Sequence, residues 1–428
     1  MSGLILFGAL GLLLILGVPI AMSLGMSSLL VMSAIEGTPP LSLMARSIVT
    51  GADSFPLIAV PLFVLAGDLM QQGGLSRRII GFASSLVGHI RASLCYVNVI
   101  ASMFFAAISG SAPATVAAIG SNIIPSMNQQ GYKKEFSAAL TAATGMIGVM
   151  IPPSIPFIIY GVAAEVSIGK LFLAGVIPGV LFGIMFMITS RWVVRHQPVM
   201  ELDLTPFSWM GVAKQFRDSI WALIVPVIIL GGIYGGVFTP TEAGAVAVVY
   251  AIICGLFIYK EIGLSDLPKI FARSTLTSAT ILVLVVFAAA FGRLVTFEQI
   301  PSAVANALVN LSDNPIVILL LINIMLLIIG MFMETISAII ILTPILLPVA
   351  MKVGVDPIVF GVILTVNLAI GFCTPPLGVN IFVASQVSNV SIEKISRALL
   401  PFLVSMIVLL LAVTFIPEIS LHLSEIVY

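Results

Sequence analysis

The chain has 428 residues, 60% hydrophobic and 8% charged, and its formal net charge is zero. An average soluble domain carries about 25% charged residues, so a mean hydropathy of +1.22 excludes a water-soluble fold. Zero net charge leaves a nucleic-acid partner no electrostatic footprint. Apolar runs such as Ile220 to Ile233, Ala243 to Tyr259, Leu276 to Phe291 and Phe402 to Phe415 recur along the whole length. At about 20 residues per span there is room for roughly ten.

In chain order, Met1-Ser2-Gly3 lacks the basic start of a cleavable signal, so the first apolar segment is expected to stay as an anchor. Residues 4–35 serve as two short spans or as one long tilted helix. Arg77, Arg78, Arg91, Lys133, Lys134, Arg191, Arg195, Lys214, Arg217, Lys260, Lys269, Arg273, Lys394 and Arg397 gather in a few connections. The positive-inside rule assigns these to the cytoplasm and leaves over only Arg46, Lys170, Arg293 and Lys352. Residues 92–132 centre on Ser109-Gly110-Ser111-Ala112-Pro113. Each limb holds about 12 to 15 strongly apolar residues, or about 18 to 22 Å of helix, short of the ~30 Å hydrocarbon core. This predicts a re-entrant hairpin with both ends inside.

A helix over about 135–163 then crosses outward, interrupted at Pro152-Pro153, and residues 171–190 return to a polar interlude at 191–218. That interlude reads as a cytoplasmic linker, with Trp209 to Phe216 amphipathic enough to lie on the membrane surface. Spans over about 219–236 and 242–259 lead to Lys260, and a crossing at about 274–292 puts Glu298 and Pro301 outside. The second hairpin, about 316–350 with its tip near Glu334 to Ser337, therefore enters from the opposite face. A second broken helix follows over about 356–386, interrupted at Pro375-Pro376.

The two halves answer each other. Gly67-Asp68-Leu69 matches Gly292-Arg293-Leu294 at an offset of 225, and Gly148 to Pro153 matches Gly371 to Pro376 at 223. The expected fold is an all-α polytopic membrane protein whose repeats, 1–190 and 219–428, are inverted, each with a re-entrant helical hairpin and a broken helix. Secondary transporters are built this way, with the binding site near the midplane where discontinuous helices meet.

The prolines free carbonyls at membrane depth that lipid cannot satisfy. Neighbouring helices could relieve a pair of kinks. The sharper reading is a Na⁺ site of the Gly148 and Ile151 carbonyls with the hydroxyls of Ser109 and Ser111, and a second of Thr335 with backbone around Met333, Gly371 and Thr374. Helix ends at the same tips suit a carboxylate, and Ser154 and Asn380 could donate to it or act as ordinary caps. Glu334, isolated in apolar sequence, reads as functional or as a cap of the hairpin tip. Asp68 and Arg293 occupy equivalent positions with opposite charge, which suggests an ion pair.

Cys95, Cys254 and Cys373 are far apart in apolar sequence and are expected to be free thiols. His89, His196 and His422 are scattered, without metal-ligand spacing, and no phosphate-binding loop occurs, so neither a hydrolase nor an ATPase is expected.

Five ordered motifs then carry a resemblance: Phe105 to Thr115, Gly236 to Gly244, Gly330 to Thr335, Pro344 to Pro348 and Gly371 to Asn380. Together they resemble the large membrane subunit of tripartite ATP-independent periplasmic (TRAP) transporters over essentially the whole chain. The resemblance implies an elevator transporter of the bacterial inner membrane that imports organic acids with a Na⁺ gradient and no cofactor. It implies two partners besides the lipid bilayer: a small four-helix membrane subunit and a soluble periplasmic substrate-binding protein. It also implies Na⁺ ligation by Ser109, Ser111, Gly148, Ile151 and Pro153, and by Thr335, Gly371 and Thr374. Glu334 departs from the family's usual Asp. The pattern is most similar to importers of sialic acid, although C4-dicarboxylate importers share nearly all of it. A stand-alone divalent-anion/Na⁺ symporter and, from another class, an ion channel are the alternatives.

Overall fold

The computed structural model describes residues 2–35, 39–195, 207–311 and 314–427. The first half runs α1 (Ser2–Ile15), α2 (Ile20–Ala34), α3 (Leu41–Ala52), α4 (Ala59–Gln72), α5 (Leu75–Val87), α6 (Ser93–Ser109), α7 (Ala112–Gln129), α8 (Lys134–Gly145), α9 (Ile155–Ala163) and α10 (Ile168–Val194). The second runs α11 (Trp209–Tyr234), α12 (Pro240–Ile253), α13 (Leu267–Phe297), α14 (Ile300–Leu311), α15 (Pro315–Phe332), α16 (Thr335–Lys352), α17 (Pro357–Gly371), α18 (Val379–Ser388), α19 (Ile392–Phe415) and α20 (Glu418–Val427). No strand occurs among the described residues.

Among those residues eight helices are long and apolar enough to cross a membrane, against the roughly ten expected. The difference lies in how the apolar sequence is cut. Leu16 to Pro19 divides the first stretch into α1 and α2, and the Pro-Pro breaks shorten α8, α9, α17 and α18. The hairpin limbs α6 and α7 have 17 and 18 residues, about 26 and 27 Å, longer than their apolar content suggested. Polar Asn122 and Ser126 continue α7 by bonding along the helix, Asn122 Nδ2 to the Ala118 carbonyl at 3.0 Å and Ser126 Oγ to the Asn122 carbonyl at 3.1 Å.

The linker is corrected. Helix α10 persists to Val194 and α11 begins at Trp209, so Trp209 to Phe216 forms the first turns of one continuous 26-residue helix. No Gly or Pro interrupts 212–225, and Ser208 caps the start by accepting from the Gly211 N–H. The long stems of Lys214 and Arg217 let a membrane helix carry charge near its end. The middle of the linker, 196–206 with His196, lies outside the described residues. Cys95, Cys254 and Cys373 are free and buried.

Packing divides the helices into two groups. Helices α4, α12 and α13 pack together with α2 and α3, and α11 lies on α12. The other group joins α6 to α10 with α15 to α20. Helix α5 spans between them, touching α11 on one side and α6 on the other. The hairpins are pinned to the broken helices by buried polar contacts. Asn98 of α6 donates to Thr141 Oγ1 at 2.7 Å and accepts from Thr144 Oγ1 at 3.0 Å. In the second half Asn367 of α17 donates to Asn323 Oδ1 at 2.7 Å, and Asn323 donates to Thr414 at 3.0 Å. The donors on the broken helices, Thr144 and Asn367, are 223 residues apart, the offset of the breaks themselves. Replacing Asn98 with Leu is expected to cost about 1–2 kcal/mol, since interhelical hydrogen bonds in membranes contribute roughly 0.6 and at most about 1.7 each. A melting temperature of the solubilised protein equal to that of the unaltered chain would refute this.

Candidate ion and substrate site

Two helix tips meet two helix breaks. At the first, α6 ends with Gly110 in the left-handed region, φ +62°, and Ser111 caps α7 by accepting from the Ala114 N–H at 3.5 Å. Helix α8 tightens into a 3₁₀ turn over Met146–Val149 before the chain runs through Pro152-Pro153 to α9. The tip and the break touch through backbone: the Ile155 N–H donates to the Gly110 carbonyl at 3.3 Å. Gly148 faces the Ser111 carbonyl so closely that an added Cβ would lie 2.6 Å from it and 2.5 Å from Thr115 Oγ1.

Ser109, Ser111, Gly148 and Pro153 are thus brought together, with Ile151 at the same break. Their buried hydroxyls bond among themselves: Thr115 Oγ1 donates to the Ser111 carbonyl at 2.8 Å and lies 3.1 Å from Ser109 Oγ. No hydrogen bond among the described residues reaches the carbonyls of Ile151, Pro152 or Pro153, all buried. A buried carbonyl without a donor is costly, and a hard cation satisfies it. Thr115 was missed from the sequence, although its spacing of four from Ser111 on a new helix puts it over the tip.

The second tip repeats the arrangement. Helix α15 ends at Phe332, Met333 is extended, and Glu334 caps α16, accepting from the Ser337 N–H at 3.2 Å and lying 3.4 Å from Ser337 Oγ. Gly371 abuts the Gly330 backbone with no room for a Cβ, and the Leu377 N–H donates to the Met331 carbonyl at 3.1 Å. Thr374 turns its hydroxyl back to the Ile370 carbonyl at 2.8 Å. Thr335, 1% exposed, leaves its hydroxyl without a hydrogen-bond partner.

The two breaks also join each other. Asn380, fully buried, donates through Nδ2 to the Ala142 carbonyl at 3.0 Å, and Cys373 Sγ donates to the same oxygen at 3.3 Å. Tyr160 of α9 donates to the Pro357 carbonyl at 2.6 Å.

In this structure Asn380 Nδ2 is engaged within the protein, and Oδ1 is the atom left without a partner. Ser154 is a cap, donating to the Val149 carbonyl at 2.6 Å and accepting from the Phe157 N–H at 3.3 Å. Glu334 takes the capping role as well.

The Asp68–Arg293 pair does not form. Asp68 Oδ2 accepts from Ser274 Oγ at 2.6 Å. Ser274 and Arg293 lie on one helix 19 residues apart, about 28 Å. The matched motif serves packing through its glycines: Gly67 of α4 lies against the Ser109 backbone and Gly292 of α13 against Pro344 of α16. Each scaffold helix thereby receives one hairpin.

A family model described as "Tripartite ATP-independent periplasmic transporter, DctM component" matches residues 7–419. The isethionate TRAP transporter permease protein DctMQ of Oleidesulfovibrio alaskensis is 47% identical, over 98% of this chain and 66% of that protein. The C4-dicarboxylate TRAP transporter large permease protein DctM of Pseudomonas aeruginosa is 44% identical over 87% of each. The sialic acid TRAP transporter large permease protein SiaM of Vibrio cholerae is 41% identical over 98% of this chain and 97% of that one. Among solved structures, the YdaH transporter of Alcanivorax borkumensis shares the fold with a TM-score of 0.60 at 17% identity, covering 95% of this chain and 97% of that one.

Proposed function

The chain belongs to the tripartite ATP-independent periplasmic transporter family, DctM component, and from that premise we propose that it imports a small organic anion in symport with Na⁺. It is a multi-pass protein of the bacterial inner membrane. The observation that carries the reading is the pairing of each hairpin tip with a helix break, through Ile155 to Gly110 and Leu377 to Met331. Backbone irregular at membrane depth persists only where protein or a bound ion satisfies it. Ser109, Ser111, Gly148, Ile151 and Pro153 hold one Na⁺. Met333, Thr335, Gly371 and Thr374 hold the other, and the free hydroxyl of Thr335 supports that assignment. The substrate lies between the two ion sites, beside Asn380.

The two packing groups support an elevator: α4 and α11 to α13 stay as scaffold, while the hairpins and broken helices carry ion and substrate as one body. The partners are a small membrane subunit against the scaffold and a periplasmic protein that delivers substrate to the outer face. Sialic acid is the first substrate to test, beside C4-dicarboxylates and isethionate, the other solutes in the relatives' names.

The test is uptake into proteoliposomes holding this chain and its small subunit, with the binding protein outside and a Na⁺ gradient imposed. Radiolabelled sialic acid, succinate and isethionate are compared. Uptake of one of them that stops without Na⁺ or without the binding protein is the expected result. Uptake independent of Na⁺ would remove the symport mechanism, and uptake without the binding protein would indicate a stand-alone symporter.

A further inference from the structure

Apart from the tips and breaks, a cavity of about 1210 Å³ opens between the two packing groups. Its lining includes Ser47, Arg293 and Thr296 of α3 and α13 and Glu165 and Ser167 of the connection from α9 to α10. It lies at the ends of α10 and α13 remote from Arg191, Arg195, Lys269 and Arg273. The positive-inside rule therefore puts it on the outer face. Its volume exceeds the range of roughly 300–1,000 Å³ usual for small-molecule sites.

Arg293 and Glu165, both exposed, make no ion pair or side-chain hydrogen bond among the described residues. An unpaired guanidinium offers a fork of donors to a carboxylate or sulfonate, and the first turn of the 27-residue α10 adds its positive dipole end. Glu165 opposes a second negative charge and accepts from a hydroxyl.

We infer that this crevice is a receiving site for a singly charged, hydroxylated organic anion, whose acid group meets Arg293 and whose hydroxyls face Glu165. It is filled on delivery, before the solute reaches the hairpin tips. The inference rests on the proposed import of organic anions and narrows its substrate class, disfavouring dicarboxylates.

The experiment places a cysteine at Thr296 and measures its modification from outside by a negatively charged sulfonatoethyl methanethiosulfonate and by its positively charged trimethylammonium counterpart. The unaltered chain, whose three cysteines are buried, is the blank. The anionic reagent is expected to react faster, and Arg293→Gln to lower its advantage roughly fivefold, the scale of one unit charge at short range in a wet cavity. Isethionate and sialic acid are expected to slow the reaction and succinate not, and Glu165→Gln to let succinate protect. An advantage unchanged by Arg293→Gln, or succinate protecting as well as the monoanions in the unaltered cavity, overturns the proposal. In uptake, Arg293→Gln is expected to raise KM with Vmax nearly kept and Arg293→Lys to restore much of it; a loss confined to Vmax assigns Arg293 a structural role instead. The labelling needs no transport, so a chain that imports no organic acid would overturn the importer reading while the crevice is still judged separately.

Discussion

Thr335→Val is expected to raise the Na⁺ concentration for half-maximal uptake by more than about tenfold while leaving the melting temperature of the solubilised protein unchanged or slightly higher. Valine has nearly the shape of threonine and lacks only the hydroxyl. In the protein that hydroxyl is buried with no partner, and an unsatisfied buried polar group costs roughly 1–3 kcal/mol. Removing it therefore cannot destabilise the chain by itself. As an oxygen ligand for Na⁺ the hydroxyl would gain the partner it lacks. A loss of one ligand, at about 1.4 kcal/mol per factor of ten, fits the expected shift. Thr115→Val is the contrasting substitution. Its hydroxyl bonds to the Ser111 carbonyl and lies against Ser109 Oγ, so that variant should lose stability as well. A Thr335→Val protein with an unaltered Na⁺ requirement would make the second ion site untenable as drawn.

The sequence made the breaks legible because proline acts locally: Pro152-Pro153 and Pro375-Pro376 interrupt a helix whatever surrounds it. The turns at Ser109-Gly110-Ser111 and Met333-Glu334 were legible for the same reason, as a small or polar cap beside a residue that ends the preceding helix. Contacts between distant segments were not. Repeat symmetry relates Asp68 to Arg293 by position, yet equivalent residues meet only if they lie on the symmetry axis, and α13 carries Arg293 to the far end of a 31-residue helix. Burial likewise decided Asn380, whose donors turn to Ala142 across 238 residues of chain.

The polar pins went unread for a different reason. Thr141 and Thr144 share one face of α8, but among Ser and Thr residues that usually bond back along their own helix nothing marks them as the partners of Asn98. The segment from Trp209 to Phe216 was misread because charge was given more weight than continuity. Amphipathic character locates a helix at an interface without saying where that helix ends.

The largest loss of transport is expected from filling the space between the first tip and its break. Gly110→Ala places a Cβ about 2.5 Å from the Pro153 carbonyl oxygen, in a residue held at φ +62°. The left-handed conformation costs an L-residue about 1–2 kcal/mol, and overpacking typically costs another 1–3. The chain relieves both by moving the tip off the break, which stretches the Ile155 to Gly110 hydrogen bond and pulls the Ser109 and Ser111 oxygens from the carbonyls of Ile151 and Pro153. Gly148→Ala does the same from the opposite side, against Ser111 and Thr115. Each variant should retain less than about a tenth of uptake, since displacements near 1 Å cost on the order of 10²-fold where geometry is held this closely. Gly231→Ala is the control, because nothing lies within 4 Å of the added methyl on α11; it should transport normally. Yield and elution of the purified protein separate a displaced tip from a chain that failed to fold. Well-folded Gly110→Ala and Gly148→Ala proteins with normal Na⁺-driven uptake would show that the contact between tip and break is packing alone, and the first ion site would then have to be sought elsewhere.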